Sequence, residues 1–334
     1  MNPSTVKRVL SEYEIKRNKE FQELEDRKRK LYDDIPKLEK IDQDIASISI
    51  DSIKLILSST DKDSIKKLNK DIDILKKKKI ELLKENGYEN NYLEPNYECD
   101  KCKDTGYIKN GDTTEYCSCL KQKVYDLDFN SSNIYNLSNQ NFDNFKDDLY
   151  SDEKDEERYD SSLSPKQNIK NIKKLAEEFI KKFDDPNQKN LLFCGSTGLG
   201  KTFLSSCIAN ELIKQGKTVV YQTAPVMLDK IIDYKFGKSN NNVFDAILNA
   251  DLLIIDDLGT ETVNSLKSTE IFNIINSRIL NQNNKVTKTI ISTNLSLDSL
   301  NSVYEERITS RLIGNYDCCL FYGDDIRIQK KLKK

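Results

Sequence analysis

Gly195, Ser196, Thr197, Gly198, Leu199, Gly200, Lys201 and Thr202 stand directly after an apolar run, Leu191 to Cys194. They satisfy G-x-x-x-x-G-K-[ST], the phosphate loop that joins a strand to a helix. Its glycines let successive amide N–H groups turn inward, and a helix starting near Lys201 adds its positive end. The Lys201 ammonium is expected to reach β- and γ-phosphates. The Thr202 hydroxyl suits Mg2+, a hard cation that takes octahedral oxygen ligands shared with the phosphates. The ligand these residues imply is a nucleoside triphosphate.

Three further groups fit around that loop. Leu252 to Ile255 read as a buried strand ending in Asp256 and Asp257. Asp256 is expected beside the metal and its water shell. Asp257, at the other side of the strand end, is the candidate for polarising an attacking water, because phosphoryl transfer needs orientation and charge stabilisation more than covalent chemistry. Thr289 to Ser292 form another strand, closed by Thr293 and Asn294, so the Asn294 amide is expected next to Asp256, orienting water at the γ-phosphate. Arg307 and Arg311, four apart, share a helix face. Either guanidinium could reach γ-phosphate oxygens of a neighbouring subunit, and either could pair with Glu305 or Glu306 instead. Asp256-Asp257-Leu258-Gly259 also fits the D-x-x-G of GTPases, but the nearest N-K-x-D match, Asn284-Lys285-Val286-Thr287, lacks the carboxylate that would pair with guanine. ATP is favoured.

A second chemistry lies upstream. Cys99-x2-Cys102 is followed, after a gap of about fourteen residues, by Cys117-x-Cys119. Four thiolates meet the tetrahedral demand of a closed structural Zn2+ site, and a segment this short would draw its folding energy from the metal. No thioredoxin-like strand and helix surround the pairs, so a redox role is disfavoured.

These groups must be carried by ordered elements. The chain has 334 residues, a net charge of -2, eight Cys and no His. That length allows two or three domains, and the near-neutral charge gives no global field for nucleic acid. Without histidine there is no Ser-His or Cys-His nucleophile pair and no imidazole base. No apolar run approaches the length of a bilayer span and no signal-peptide core follows the N-terminus, so the expectation is a cytoplasmic protein without membrane contact. Residues 1–95 read as two or three amphipathic helices, with Leu24, Leu31, Leu38 and Ile45 seven apart and Ile65, Leu68, Ile72, Leu75 and Leu82 in a three-four pattern. Pro36 should end or kink the first, and the stretch from Ser58 to Asp63 should turn the chain into a hairpin. Such a region is a docking module for a partner protein or a solvated spacer. Residues 96–125 hold the cysteines, and 126–163 are an acidic linker or wrapping segment. Ser164-Pro165 caps a helix running towards Phe183. From 164 to 334, strands at Leu191–Cys194, Thr218–Tyr221, Leu252–Ile255, Thr289–Ser292 and Cys318–Tyr322 alternate with helices, which calls for a five-stranded parallel sheet covered on both faces, an α/β three-layer fold. Lys230, Tyr234, Lys235, Phe236 and Lys238 interleave charge with aromatics, as a single-stranded nucleic-acid surface would, although the rings could equally face the core.

In order and spacing, the phosphate loop, Leu253-Ile254-Ile255-Asp256-Asp257-Leu258-Gly259, Ser292-Thr293-Asn294-Leu295 and Glu306-Arg307-Ile308-Thr309-Ser310-Arg311-Leu312 resemble the AAA+ ATPases of the DnaC/DnaI helicase-loader group and its IstB relatives, across residues 140–334. Cys99-Asp100-Lys101-Cys102-Lys103-Asp104-Thr105-Gly106-Tyr107-Ile108 and Tyr116-Cys117-Ser118-Cys119-Leu120 look like the zinc segment of DnaI-type loaders. The resemblance implies an AAA+ ATPase domain without a C-terminal lid. It also implies N-terminal helices that grip a replicative ring helicase, contact with single-stranded DNA, and subunits that stack so that Arg311, the better match to the finger position, acts on a neighbour's ATP. Arg327 could replace a lid arginine or be a solvated basic residue. Two other functions fit the same core: an IstB-like transposition helper, and a nucleotide-gated adaptor with negligible turnover.

Overall fold

In a computed structural model, residues 1–57, 62–130, 139–238, 243–262, 264–280 and 285–332 are described. The chain divides into two compact units, one of Ser11–Thr105 and one of Met1–Leu10 with Gly106–Lys334.

α1 (Pro3–Asp34) from Ser11 onward, α2 (Pro36–Leu57) and α3 (Lys62–Glu85) supply the helical unit. Pro36 ends α1 and opens α2, where its missing N–H is one that no helical carbonyl would have received. Leu31, Ile35, Leu38 and Leu83 make a small core. The Asp42 carboxylate collects Lys79 Nζ at 2.5 and 2.7 Å and the Tyr32 hydroxyl at 2.5 Å, tying the three helices together. Of the heptad positions, Leu24, Leu31 and Leu38 are buried and Ile45 is half-buried. Ile50, Ile53, Ile74 and Ile80 remain exposed along α2 and α3. The turn expected from Ser58 to Asp63 falls mainly on residues 58–61, outside the described residues.

The larger unit begins its ordered core with a hairpin, β1 (Tyr107–Asn110) and β2 (Thr113–Tyr116), then α4 (Ser118–Tyr125) and α5 (Glu156–Tyr159). Next come α6 (Pro165–Lys181), β3 (Asn190–Cys194), α7 (Lys201–Lys214), β4 (Val219–Thr223), α8 (Ala224–Lys235) and α9 (Val243–Asn249). The remainder is β5 (Leu252–Leu258), α10 (Ser265–Leu280), β6 (Lys288–Thr293), α11 (Leu297–Asn315), β7 (Tyr316–Leu320) and α12 (Ile326–Leu332). Ser164 caps α6 in a full capping box with Gln167.

Five parallel strands lie in the order β4-β5-β6-β3-β7. One face buries Leu192, Val220, Leu253, Ile255 and Ile291, and the other Leu191, Phe193, Val219, Ile254 and Ile290. Apolar residues on both faces explain why these strands read as continuous runs rather than alternations. The α/β three-layer expectation holds. The last strand differs from its expected bounds, forming at Tyr316–Leu320 because Asn190 pairs with Tyr316 and Cys194 with Leu320; the Phe321 N–H still donates to Cys194 O at 2.7 Å. The segment expected as a linker sends Phe129 into one core and Phe145 and Tyr150 into the other.

Candidate nucleotide site

Gly195 to Thr202 leave the end of β3 and enter α7, so the loop lies at the carboxyl edge of the sheet, where α/β proteins bind ligands. Gly198 has φ +78°, a left-handed backbone that favours glycine, and a Cβ there would require the Asp325 carboxylate to shift. Carbonyls on the outer side of the loop are held by other parts of the chain: Ile326 N–H donates to Gly198 O at 3.0 Å, and Tyr150 Oη donates to Leu199 O at 2.8 Å. Holding these two carbonyls fixes the backbone that carries the loop's amide groups.

Lys201, at the first turn of α7, is 5% exposed and spends its three protons on Gly195 O at 2.6 Å, Ser196 O at 2.8 Å and Asn294 Oδ1 at 2.9 Å. Burial pulls its ammonium below the ordinary lysine range while Asp257 and Asp256 pull the other way. The structure thus brings the loop lysine and the β6 amide into direct contact. Thr202 Oγ1 lies 3.4 Å from Asp256 Oδ1.

Asp256 is 3% exposed and fixed from both neighbouring strands, by Tyr221 Oη of β4 at 2.9 Å and by a short bond from Ser292 Oγ of β6. These two partners were not singled out by sequence reasoning. In sequence Ser292 is part of the Ser292-Thr293-Asn294-Leu295 run, and Tyr221 is one more strand residue. Asp257 differs from Asp256 through backbone geometry. The β5–β6 register shifts between Ile255 and Leu258, and Asp257 takes φ +56°, so the two carboxylates leave the strand end from different backbone geometries.

Burial, then the Asp256 charge, raises the Asp257 carboxyl above its ordinary value, with Lys201 opposing. The folded state therefore holds that proton to higher pH than the unfolded chain does. The ionised form costs stability at neutral pH, and the cost fades as pH falls through the raised value. Asn tolerates the left-handed backbone at this position. Asp257→Asn is accordingly expected to raise the thermal midpoint at pH 7, with a shrinking advantage in acid. If the carboxylate aligns the attacking water, the same change lowers turnover by about 10² or more. Calorimetric scans over pH, paired with steady-state assays, check both.

The arginines separate. Arg307 Nε pairs with Glu305 at 3.1 Å, and its guanidinium lies 5.0 Å from the centre of the Phe272 ring. Arg311 is exposed and makes no ion pair among the described residues. Glu305 interrupts α11 with φ +67° and ψ 156°, a strained conformation just ahead of both. The basic and aromatic run over the second half of α8 and the residues just after it is also divided. Lys230 packs 5.5 Å from the Phe129 ring centre and Lys235 pairs with buried Glu270 at 2.5 Å, while Phe236 and Lys238 stay exposed. Within the unmatched N-K-x-D run, Asn284 lies outside the described residues and Thr287 is buried.

The cysteine ligand atoms of Cys99, Cys102, Cys117 and Cys119 all lie within 4.8 Å of one another. The Asp104 carboxylate accepts Glu98 N–H and Cys99 N–H at 2.9 and 3.0 Å, while Lys103 and Asp104 take left-handed backbone in the knuckle. Four sulfurs at this spacing fit the donor set of a tetrahedral zinc centre.

A phosphate loop at the edge of a parallel sheet, facing a bulged Asp-Asp strand end and an amide on the next strand, defines a P-loop nucleotide-binding protein. The chain belongs to the IstB-like ATP binding protein family, whose model matches residues 146–333, on an α/β fold built around a five-stranded parallel sheet. It is similar to the replicative helicase loader DnaC of Escherichia coli strain K12, 28% identical over 155 residues, covering 46% of this chain and 61% of that protein. The DnaC of Buchnera aphidicola subsp. Acyrthosiphon pisum is 29% identical over 163 residues, 48% of this chain and 63% of the relative. The chain therefore spans less than two thirds of these curated relatives. Among solved structures, a crystal structure of the DnaC helicase loader aligns with TM-score 0.43 and 22% identity over 56% of this chain and 99% of that one. A DnaI crystal structure gives 0.40 and 25% over 48% and 84%. No helix among the described residues is long and apolar enough to cross a membrane.

Proposed function

We propose that this protein couples ATP binding and hydrolysis to loading a replicative ring helicase onto single-stranded DNA. The observation that carries the reading is the convergence of Lys201, Thr202, Asp256 and Asn294 at the mouth of one phosphate loop, in a chain similar to proteins named as replicative helicase loaders. Gly195 to Thr202 would bind the triphosphate through amides and the Lys201 ammonium. Thr202 and Asp256 would hold Mg2+, which supplies charge neutralisation at the phosphates. Asp257 and Asn294 would align the attacking water. Tyr221 and Ser292 fix the Asp256 carboxylate, so it need not reorganise when the site fills.

Arg311, exposed and unengaged among the described residues, is the finger that would complete a neighbouring subunit's site. Arg307, already paired with Glu305, is not. Hydrolysis is then slow in a lone subunit and rises on assembly. Arg311→Ala is expected to spare ATP binding and lower assembled turnover by on the order of 10³, with Arg307→Ala far milder. Steady-state assays across protein concentration decide this, and equal losses in the two variants refute the assignment.

Cys99, Cys102, Cys117 and Cys119 would hold one Zn2+ as a structural centre. One zinc per chain by elemental analysis, lost with folding of the segment in Cys102→Ser, is the expected outcome. The exposed Ile50, Ile53, Ile74 and Ile80 of the helical unit suit a helicase surface, as buried isoleucines would not. The full chain mixed with the replicative helicase of its own source should co-elute in gel filtration and speed helicase deposition on single-stranded DNA in an ATP-dependent manner. Recovery of a transposase in place of the helicase from native lysate would overturn the reading.

A further inference from the structure

Cys194 and Cys318 stand apart from the four cysteines of the metal segment and from the nucleotide chemistry. They lie on neighbouring parallel strands, β3 and β7, with their sulfurs 4.0 Å apart. Cys194 is in register with Leu320, two residues beyond Cys318, so both side chains leave the same face of the sheet. Their settings are opposite. Cys194 is 1% exposed, whereas Cys318 on the edge strand is open to solvent. A sulfur–sulfur hydrogen bond joins the two; it lifts the Cys194 thiol well above its ordinary value, with burial adding to the shift, and pulls Cys318 down towards thiolate. An exposed thiol with thiolate character beside a buried thiol is the arrangement of an attacking and a resolving cysteine.

The position of the buried partner gives the pair a consequence. Cys194 is the last residue of β3, its carbonyl holds Phe321 N–H at 2.7 Å, and the next residue is Gly195, whose carbonyl receives Lys201 Nζ at 2.6 Å.

We propose that Cys194 and Cys318 form an oxidation site, closing a reversible disulfide at the root of the phosphate loop that weakens nucleotide binding. The oxidant is a peroxide. Cys318 thiolate attacks one peroxide oxygen, breaking the O–O bond and giving a sulfenic acid and, after protonation, water or an alcohol. Cys194 then attacks the Cys318 sulfur and displaces the hydroxyl, which leaves as water with the Cys194 proton. Two thiols are oxidised by two electrons and one peroxide is reduced. A dithiol reductant reverses the bond. Since a disulfide holds its sulfurs about 2.05 Å apart, the strand ends must draw together. Gly195 is covalently next to the sulfur-bearing residue and cannot stay in place when they do.

The effect on nucleotide binding rests on the proposed ATP site, but the disulfide does not. The test treats the full chain with hydrogen peroxide and maps its peptides by mass spectrometry without reduction, while binding of a fluorescent ATP analogue is measured before and after. The expected result is a Cys194–Cys318 linked peptide and an affinity lowered by at least about tenfold, given how sharply positioned sites respond to displacements near 1 Å. Dithiothreitol should restore binding. Cys318→Ser should bind normally when reduced and lose both the linked peptide and the peroxide response. Separate sulfinic acids on the two residues, or a linked peptide with unchanged affinity, overturn the proposal. A reduced chain that ignores the analogue overturns the ATP reading and the coupling with it, whereas the linked peptide decides the thiol site alone.

Discussion

Arg278→Met should cost the nucleotide unit at least about 3 kcal/mol, or prevent it from folding, although the arginine touches neither the phosphate loop nor the aspartates. Arg278 is 1% exposed at the end of α10. Its Nη1 donates to Ile247 O at 2.6 Å and Ala250 O at 3.0 Å, its Nη2 to Lys288 O at 2.7 Å, and its Nε to Thr289 Oγ1 at 2.9 Å. One guanidinium thus satisfies the turn before β5 and the entry to β6, the two strands that deliver Asp256 and Asn294. Burial pulls it down to about 10, so it stays protonated at neutral pH. Methionine keeps much of the apolar stem but strands several buried carbonyls, each costing about 1 to 3 kcal/mol. Against a total stability of roughly 5 to 15 kcal/mol, that loss is large. Urea unfolding followed by far-ultraviolet dichroism measures it, and a change under about 1 kcal/mol would contradict the role given to this residue.

Lys201→Ala is expected to lower ATP affinity by about 10² or more, since the lost group is a buried, charge-assisted donor. Its three acceptors, Gly195 O, Ser196 O and Asn294 Oδ1, lose their shared proton source together, so the variant also loosens the loop from β6. Titration with a fluorescent analogue reports the affinity, and the melting temperature without nucleotide separates loosening from lost contact.

Much of the nucleotide site is legible in the sequence, because its residues cluster in short runs at strand ends. The phosphate loop, the Asp-Asp pair and Asn294 each close an apolar run, and parallel pairing then brings those ends to one edge. The groups that support them were not legible. Tyr221 reaches Asp256 across 35 residues, and Tyr150 reaches Leu199 across 49, through contacts that only tertiary packing creates. The bulge at Asp257 carried no sequence sign, since a left-handed aspartate follows from the β5–β6 register rather than from a local turn motif. Arg278 reads as one more helix residue, because burial of its guanidinium depends on carbonyls from two other segments, 247–251 and Lys288. The basic run that begins in α8 reads as continuous in sequence, yet helix geometry turns Lys235 to Glu270 and Lys230 to Asp128 and Phe129.

Isothermal titration of MgATP into the folded full-length chain tests the central claim most directly. The arrangement of Lys201, Thr202 and Asp256 predicts saturable heat at one site per chain, with affinity falling when Mg2+ is withdrawn and no comparable response to MgGTP. A folded chain that gives no heat with MgATP, or binds it equally well without the cation, would contradict the account.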